Sequence, residues 1–230
     1  MKSLAAAIEG LDHVHDHTLL SAGACHAVIG RVADHRSALS DDERQHIGHA
    51  VESRQLAYST GRYLAKRALA ELDVPVESIP THPSRRPVWP DGVVGSITHS
   101  RRYGIAIVCR CSGLAGVGVD LELAGRVTED IAESVMTEAE RQVHQSDWPP
   151  SAYTANFSAK EAVFKAVNPI VGLMVGFREV EIRWLARERT FTASYVGPNR
   201  ENAVIEGGRG TVFALDDHVG ALFWIGAQAT

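Results

Sequence analysis

Asp120 and Glu122 stand at i and i+2 at the end of Gly116-Val117-Gly118-Val119-Asp120-Leu121-Glu122, a glycine-spaced apolar run. On a β-strand, residues two apart share one face, so this spacing brings two carboxylates together. A hard divalent cation relieves their repulsion in an apolar setting and takes phosphate oxygens as further ligands. Magnesium, or manganese in its place, is the ion such a pair predicts. The plain alternative is a strand that ends here and leaves both groups solvated.

A second candidate is Phe157-Ser158-Ala159-Lys160-Glu161-Ala162-Val163-Phe164-Lys165-Ala166-Val167. On a helix, Glu161 and Lys165 lie about 40° apart with Ser158 beside them, opposite an apolar side of Phe157, Val163, Phe164 and Val167. An i, i+4 surface ion pair accounts for Glu161 and Lys165 equally well. Lys160 falls inside the apolar sector, where a lysine must snorkel or reach an anion at the sheet edge.

Trp89-Pro90-Asp91-Gly92-Val93-Val94-Gly95-Ser96-Ile97-Thr98-His99-Ser100 is a third. Glycine-flanked backbone with Ser96, Thr98 and His99, which could carry charge there, can donate several hydrogen bonds to a phosphate, although any Gly-Ser turn followed by histidine looks similar. Basic residues form a fourth group: Arg54, Arg62, Lys66 and Arg67, followed by Arg85 and Arg86. Arg54 and Arg62 are about 80° and about 12 Å apart on a helix, within reach of one polyanion, or they belong to a solvated face. Lastly, His13, His15 and His17, with Asp12 and Asp16, would show three imidazoles on one side of a strand, a zinc or nickel pattern or simply a histidine-rich terminus.

Placing these groups takes a sheet and long helices. The chain of 230 residues is 45% apolar, enough for one large core or two lobes of roughly 110 residues each. With 22% charged residues and a net charge of -5, it has neither the basic stripe of a nucleic-acid binder nor a disordered acidic tail. No apolar run approaches a membrane span, and Leu4 to Ile8 is too short for a signal peptide. Cys25, Cys109 and Cys111 cannot all pair, and Cys109 and Cys111 would share a strand face, which predicts reduced thiols in a cytosol.

The first 39 residues read as strand and loop. Ser40 with Glu43 forms a capping box that opens a helical region to about Leu72, and four prolines between Ile79 and Gly92 make an ordered loop. Strands are expected at Val93 to Thr98, Tyr103 to Arg110 and Leu114 to Leu123. Thr137 with Glu140 is a second capping box before a break at Pro149 and Pro150, and another helix covers about Thr154 to Val167. Strands return at Glu179 to Ala186, Thr190 to Val196, Gly210 to Leu215 and Val219 to Ile225, the last two paired around Asp216 and Asp217. The expected architecture is two-lobed α+β with a junction near residue 112.

In order and spacing, Gly61-Arg62 with Ala68-Leu69, the run from Trp89 to His99, Gly118 to Glu122 and Phe157 to Ala166 resemble one family. It is the large, single-chain phosphopantetheinyl transferases of the surfactin-synthetase-activating type, and within them the enterobactin-synthetase transferases. The resemblance covers residues 50 to 180. It implies two similar α/β lobes forming a pseudo-dimer, 1–112 with the nucleotide contacts and 113–230 with the metal site and catalytic helix, with coenzyme A in the cleft between them. Asp120 and Glu122 correspond to its metal-binding carboxylates, and Glu161 to a glutamate that is a third metal ligand or the base for the attacking serine. Lys165 corresponds to a pyrophosphate-contacting lysine, Thr98 and His99 to phosphate contacts, and Arg54, Arg62 and Arg85 to basic positions at the nucleotide end.

The implied reaction moves the phosphopantetheine of coenzyme A to a serine of an apo acyl, peptidyl or aryl carrier protein, with magnesium, by a cytoplasmic monomer. Two other classes fit the same residues: a non-catalytic carrier- or nucleotide-binding module, and a magnesium-dependent nucleotide pyrophosphatase using water. Residues 1–17 lie outside every matched motif and are expected to be dispensable for transfer.

Overall fold

In the computed structural model, residues 1–227 are described except 12–13, 15–16, 144–151, 173–174, 186–188 and 199, with backbone alone at 200–203. His13 and His15, the proline pair 149–150 and the expected strand end at Ala186 lie outside the described residues.

The first half runs α1 (Lys2–Glu9), β1 (Thr18–Ala22), β2 (Cys25–Arg31), α2 (Asp41–Ile47), α3 (Glu52–Glu71), β3 (Val93–His99) and β4 (Tyr103–Arg110). The second runs β5 (Leu114–Leu123), α4 (Glu129–Val135), α5 (Glu138–Val143), α6 (Ala152–Val171), β6 (Val180–Leu185), β7 (Thr190–Tyr195), β8 (Gly208–Leu215) and β9 (His218–Gly226). These make two antiparallel sheets, ordered β1-β2-β4-β3 and β5-β9-β8-β7-β6. The fold is α+β, with α3 packed on the first sheet and α6 on the second.

Both capping boxes form. Ser40 Oγ accepts from the Glu43 amide at 3.3 Å while Glu43 returns to the Ser40 amide at 2.9 Å, and Thr137 and Glu140 do the same at 3.2 and 2.7 Å. Each glutamate has a second, long-range task. Glu43 accepts from the Ile79 amide at 2.9 Å and from Lys66 of α3 at 2.7 Å; Glu140 accepts from the Ile182 amide at 2.7 Å and from Lys160 of α6 at 2.6 Å. The two halves therefore repeat one device: a buried cap glutamate tied to a lysine on the long helix and to the backbone after it.

Glycines set how closely α6 approaches its sheet. The even positions of β5 face α6, and a Cβ on Gly118 would collide with the Ala162 carbonyl and come within 2.8 Å of the Ala166 nitrogen; one on Gly116 would collide with the Ala166 carbonyl. The odd positions Val117, Val119 and Leu121 face a core shared with Ala27, Ile29, Ile105 and Ile107 of the first sheet. The α6 helix runs past Pro169, which sits in its last turn, and stops at Gly172, with φ of 69°. A proline there costs only the hydrogen bond to the Lys165 carbonyl, so the helix outlasts the end expected near Val167.

Two expectations fail. Residues 2–9 form a helix, because Leu4, Ala5 and Ile8 at i, i+1 and i+4 find an apolar seat beside Phe213 and Leu215 of β8; Glu9 also pairs with Arg189. Nor are the thiols all reduced: Cys25 and Cys109 are direct partners across β2 and β4 and form a disulfide, while Cys111 lies past the end of β4, free and exposed. A separation of 84 residues hides that register from the sequence. Among the described residues, no helix is long and apolar enough to cross a membrane.

Burial of Leu4 and Ile8 contributes about 1.5–3 kcal/mol each. Deleting residues 1–11 is therefore expected to lower the thermal midpoint by roughly 10 °C, as read by calorimetry, rather than to leave the protein unaffected. An unchanged midpoint would mean that α1 is not seated in solution.

Candidate active site

Strand β3 alternates between two surroundings. Ser96 and Thr98 point toward β5 and are buried, while Ile97 and His99 line an open cavity beside α3. One strand thus joins a cluster of carboxylates to a cluster of cations.

On the β5 side, Lys165 Nζ stands 2.7 Å from Asp120 Oδ1, 3.2 Å from the Val119 carbonyl and 3.3 Å from Thr98 Oγ1. Thr98 Oγ1 donates to the same Asp120 oxygen at 3.2 Å. The other oxygen, Asp120 Oδ2, is buried without a partner. Glu122 lies two residues on, its side chain 20% exposed and paired with Arg126 at 3.1 Å. Burial, then the Asp120 charge, and more weakly Glu161, push the Glu122 carboxyl up to about 7, against the pull of Arg126 and Lys165. Glu161 is raised as well, first by burial and then by Asp120, with Lys165 opposing. Asp120, Glu122, Glu161 and Lys165 are thus brought together, and the solvated strand end is excluded.

This donor set has the chemistry of a cation site. An orphaned buried carboxylate oxygen and two carboxyls raised by burial and by like charge are what a hard divalent ion would satisfy, and magnesium needs only one or two carboxylates when water and substrate supply the rest. Among the described residues no group of three or more histidine, cysteine, aspartate or glutamate side chains is gathered in ligating geometry. The residues fit a two-carboxylate site at Asp120 and Glu122.

On the other face, a cavity of about 420 Å³ is lined by Arg54, Tyr58, Arg62, Arg85, His46 and His99, among others. Arg54 and Arg85 are exposed cations. Arg62 differs: it is buried, stands 3.7 Å from Glu43, donates to Thr81 at 2.8 Å and lies over the Tyr58 ring. Its charge is partly met from within, although Nε is buried without a hydrogen bond. Burial, followed by Arg54 and Lys165, lowers the His99 pKa.

Sequence reasoning missed His46, Tyr58 and Thr81 in the cavity. Tyr58 had a signal, four residues from both Arg54 and Arg62 on one helix face; His46, on a separate helix, had none. Lys160, noticed for its apolar sector, is wholly buried and donates to Glu140 and to the carbonyls of Val135, Phe177 and Val180 at 2.6–2.9 Å. It clamps α4 and the segment before β6 onto α6, and its anion is internal.

The sequence shows matching relatives on both halves. Residues 42–109 match the model of the 4'-phosphopantetheinyl transferase N-terminal domain, and residues 116–215 match that of the 4'-phosphopantetheinyl transferase superfamily. The chain belongs to this superfamily. It is 36% identical over 179 residues to 4'-phosphopantetheinyl transferase Svp of Streptomyces mobaraensis, covering 75% of this chain and 72% of that protein. PptT of Mycobacterium tuberculosis is 31% identical, covering 67% of this chain and 69% of that one. Enterobactin synthase component D of Salmonella typhi is 38% identical over 138 residues, 58% of this chain and 56% of the relative. Among solved structures, a holo-(acyl-carrier-protein) synthase from Bacillus anthracis in complex with CoA (3',5'-ADP) superposes at a TM-score of 0.40 with 21% identity, over 51% of this chain and all of that one. As a phosphopantetheinyl transferase, the protein is an enzyme that moves phosphopantetheine from coenzyme A to an apo carrier protein.

Because the folded pKa of Glu122 lies above its unfolded value of 4.5, the folded form holds a proton that the unfolded chain has lost between about pH 4.5 and 7, and stability falls as pH rises through that window. In metal-free protein, Glu122→Gln should raise the thermal midpoint at pH 8 and change it little at pH 4.5. Thermal scans at both values decide this; an equal shift at both would show that Glu122 carries no unfavourable charge.

Proposed function

We propose that this phosphopantetheinyl transferase is a magnesium-dependent, cytoplasmic monomer of the surfactin-synthetase-activating type, with coenzyme A held in a cleft between two similar lobes, 1–112 and 113–230. The observation that carries the proposal is the two-faced strand β3, which sets an arginine-lined cavity against the carboxylate and lysine cluster. A pyrophosphate bridging these surfaces would have its nucleotide end among Arg54 and Arg85 and its reacting phosphorus beside Asp120 and Lys165. The repeated cap glutamates Glu43 and Glu140, and the separate family matches on either side of residue 112, support the two-lobe reading. The cytoplasmic placement rests on coenzyme A being an intracellular metabolite, not on the cysteines.

In this proposal Asp120 and Glu122 hold magnesium, with Glu161 as a third carboxylate facing the same space. The bound ion would neutralise pyrophosphate oxygens and polarise the reacting phosphorus. Thr98 and His99 contact phosphate oxygens, Thr98 by exchanging its bond to Asp120 for one to the ligand. Glu161, whose carboxyl burial pushes up from its ordinary value, takes the proton of the carrier serine. The serine oxygen bonds to the phosphorus bearing pantetheine while the bond to 3',5'-ADP breaks. Lys165, already 2.7 Å from Asp120, offsets charge appearing on that leaving group. The carrier is an acyl, peptidyl or aryl carrier domain of a secondary-metabolite or siderophore pathway, in line with the relatives' names.

Intact-mass analysis of apo carrier proteins incubated with the enzyme and coenzyme A should show one added phosphopantetheine, abolished by chelator and restored by magnesium. Magnesium should also raise the thermal midpoint of the wild type and not of Asp120→Asn. Full activity in excess chelator would remove the metal from the mechanism, and coenzyme A breakdown at the same rate without carrier would make the enzyme a pyrophosphatase.

Coenzyme A and dephospho-coenzyme A differ only in the 3'-phosphate, which isolates the cavity cations. An arginine to phosphate contact is worth about 1.5–3 kcal/mol, so Arg54→Ala should weaken coenzyme A roughly tenfold or more and dephospho-coenzyme A little. Arg62→Ala should instead lower the thermal midpoint, since it leaves buried Glu43 with one cation fewer. Titration calorimetry with both ligands checks the first; equal losses for both would place Arg54 away from the 3'-phosphate.

A further inference from the structure

The site is assembled from two sheets that share no backbone hydrogen bond at their junction. Strand β3 is the edge of the first sheet, pairing only with β4, and β5 is the edge of the second, pairing only with β9. Among the described residues, no backbone-to-backbone bond joins β3 to β5. Two edges facing each other could slide, and a slide of one residue would carry Asp120 away from Thr98.

Val119 is where the edges are fastened. Its amide and carbonyl both point away from β9. The amide donates to Ser96 Oγ at 3.0 Å and the carbonyl accepts from Lys165 at 3.2 Å. Ser96 is 3% exposed and lies two residues before Thr98 on the same face of β3. Two fastenings therefore join the edges side by side: Ser96 meets the Val119 amide, and Thr98 meets the Asp120 carboxylate at 3.2 Å.

We propose that Ser96 is a positioning residue for the transfer reaction: its hydroxyl, in place of a backbone ladder, sets the register between the two sheets and so places Asp120 against Thr98 and Lys165. This rests on the site roles proposed above. Ser96 touches neither the cavity nor the carboxylates, so its loss should separate the two half-sites. The nucleotide cavity lies on the opposite face of β3 and should keep its affinity, whereas the chemical step should suffer.

The test compares wild type, Ser96→Ala and Ser96→Thr, the last retaining a hydroxyl on a β-branched residue suited to a strand. Ser96→Ala should lower kcat for carrier modification roughly tenfold or more, leave the Kd for 3',5'-ADP within about twofold, and speed hydrogen exchange at the Val119 amide. Ser96→Thr should restore both slow exchange and kcat. Wild-type kcat in Ser96→Ala, parallel losses of kcat and 3',5'-ADP affinity, or unchanged exchange at Val119 would each overturn the proposal. If wild type itself modified no carrier, the proposed site chemistry would fail while the exchange measurement still decided whether Ser96 sets the register.

Discussion

The active site depends on how closely α6 lies against β5. Two glycines, Gly116 and Gly118, remove the side chains that would hold the helix away, and the Ala162 and Ala166 backbone fills the space. The same strand face that carries the glycines continues into Asp120 and Glu122. Where the helix contact ends, the carboxylates begin, and Glu161 and Lys165 are the helix residues that meet them. A lifted helix would leave Asp120 without Lys165, with its other oxygen already unpartnered.

Lysines five residues apart on α6 show how burial divides stability from function. Lys160 gives its ammonium four protein acceptors in a dry site, so its charge is spent on holding α5 and the entry to β6. A buried pair of that kind costs several kcal/mol to break from one side. Lys165 is 25% exposed on its side chain and shares one carboxylate. It keeps contact with the space that a phosphate would enter. The first half repeats the structural part with Lys66 and Glu43, and there Arg62 is drawn into the pair as well, leaving Arg54 and Arg85 as the outward cations of the cavity.

Charged groups are partly buried on each side of β3. Burial raises Glu122 and Glu161, with Asp120 adding to both and Lys165 opposing, and burial followed by the cations Arg54 and Lys165 lowers His99. Each proposed ligand has the sign its surroundings favour, a cation at the carboxylates and phosphate at the arginines. The turn between β8 and β9 holds this geometry at its far end, where Asp216 accepts from Tyr103, Asp217 pairs with Arg102 at 3.2 Å, and the Asp217 carbonyl takes the Ala124 amide just after β5.

Much of this was legible in the sequence, because the signals are local. An i+2 spacing places Asp120 with Glu122, an i+4 spacing places Glu161 with Lys165, and cap boxes and prolines mark where helices begin and stop; such rules need only neighbouring residues. The α+β class and the strands from 93 to 123 followed from them, while the roles of the site residues were implied by the family resemblance. What only the tertiary structure decided are the contacts between residues far apart in the chain. The Cys25–Cys109 bond, the seat of α1 on β8 and the pairing of Arg62 with Glu43 all arise from strand register and sheet docking. Those are set by the whole core at once, which no short stretch of sequence encodes.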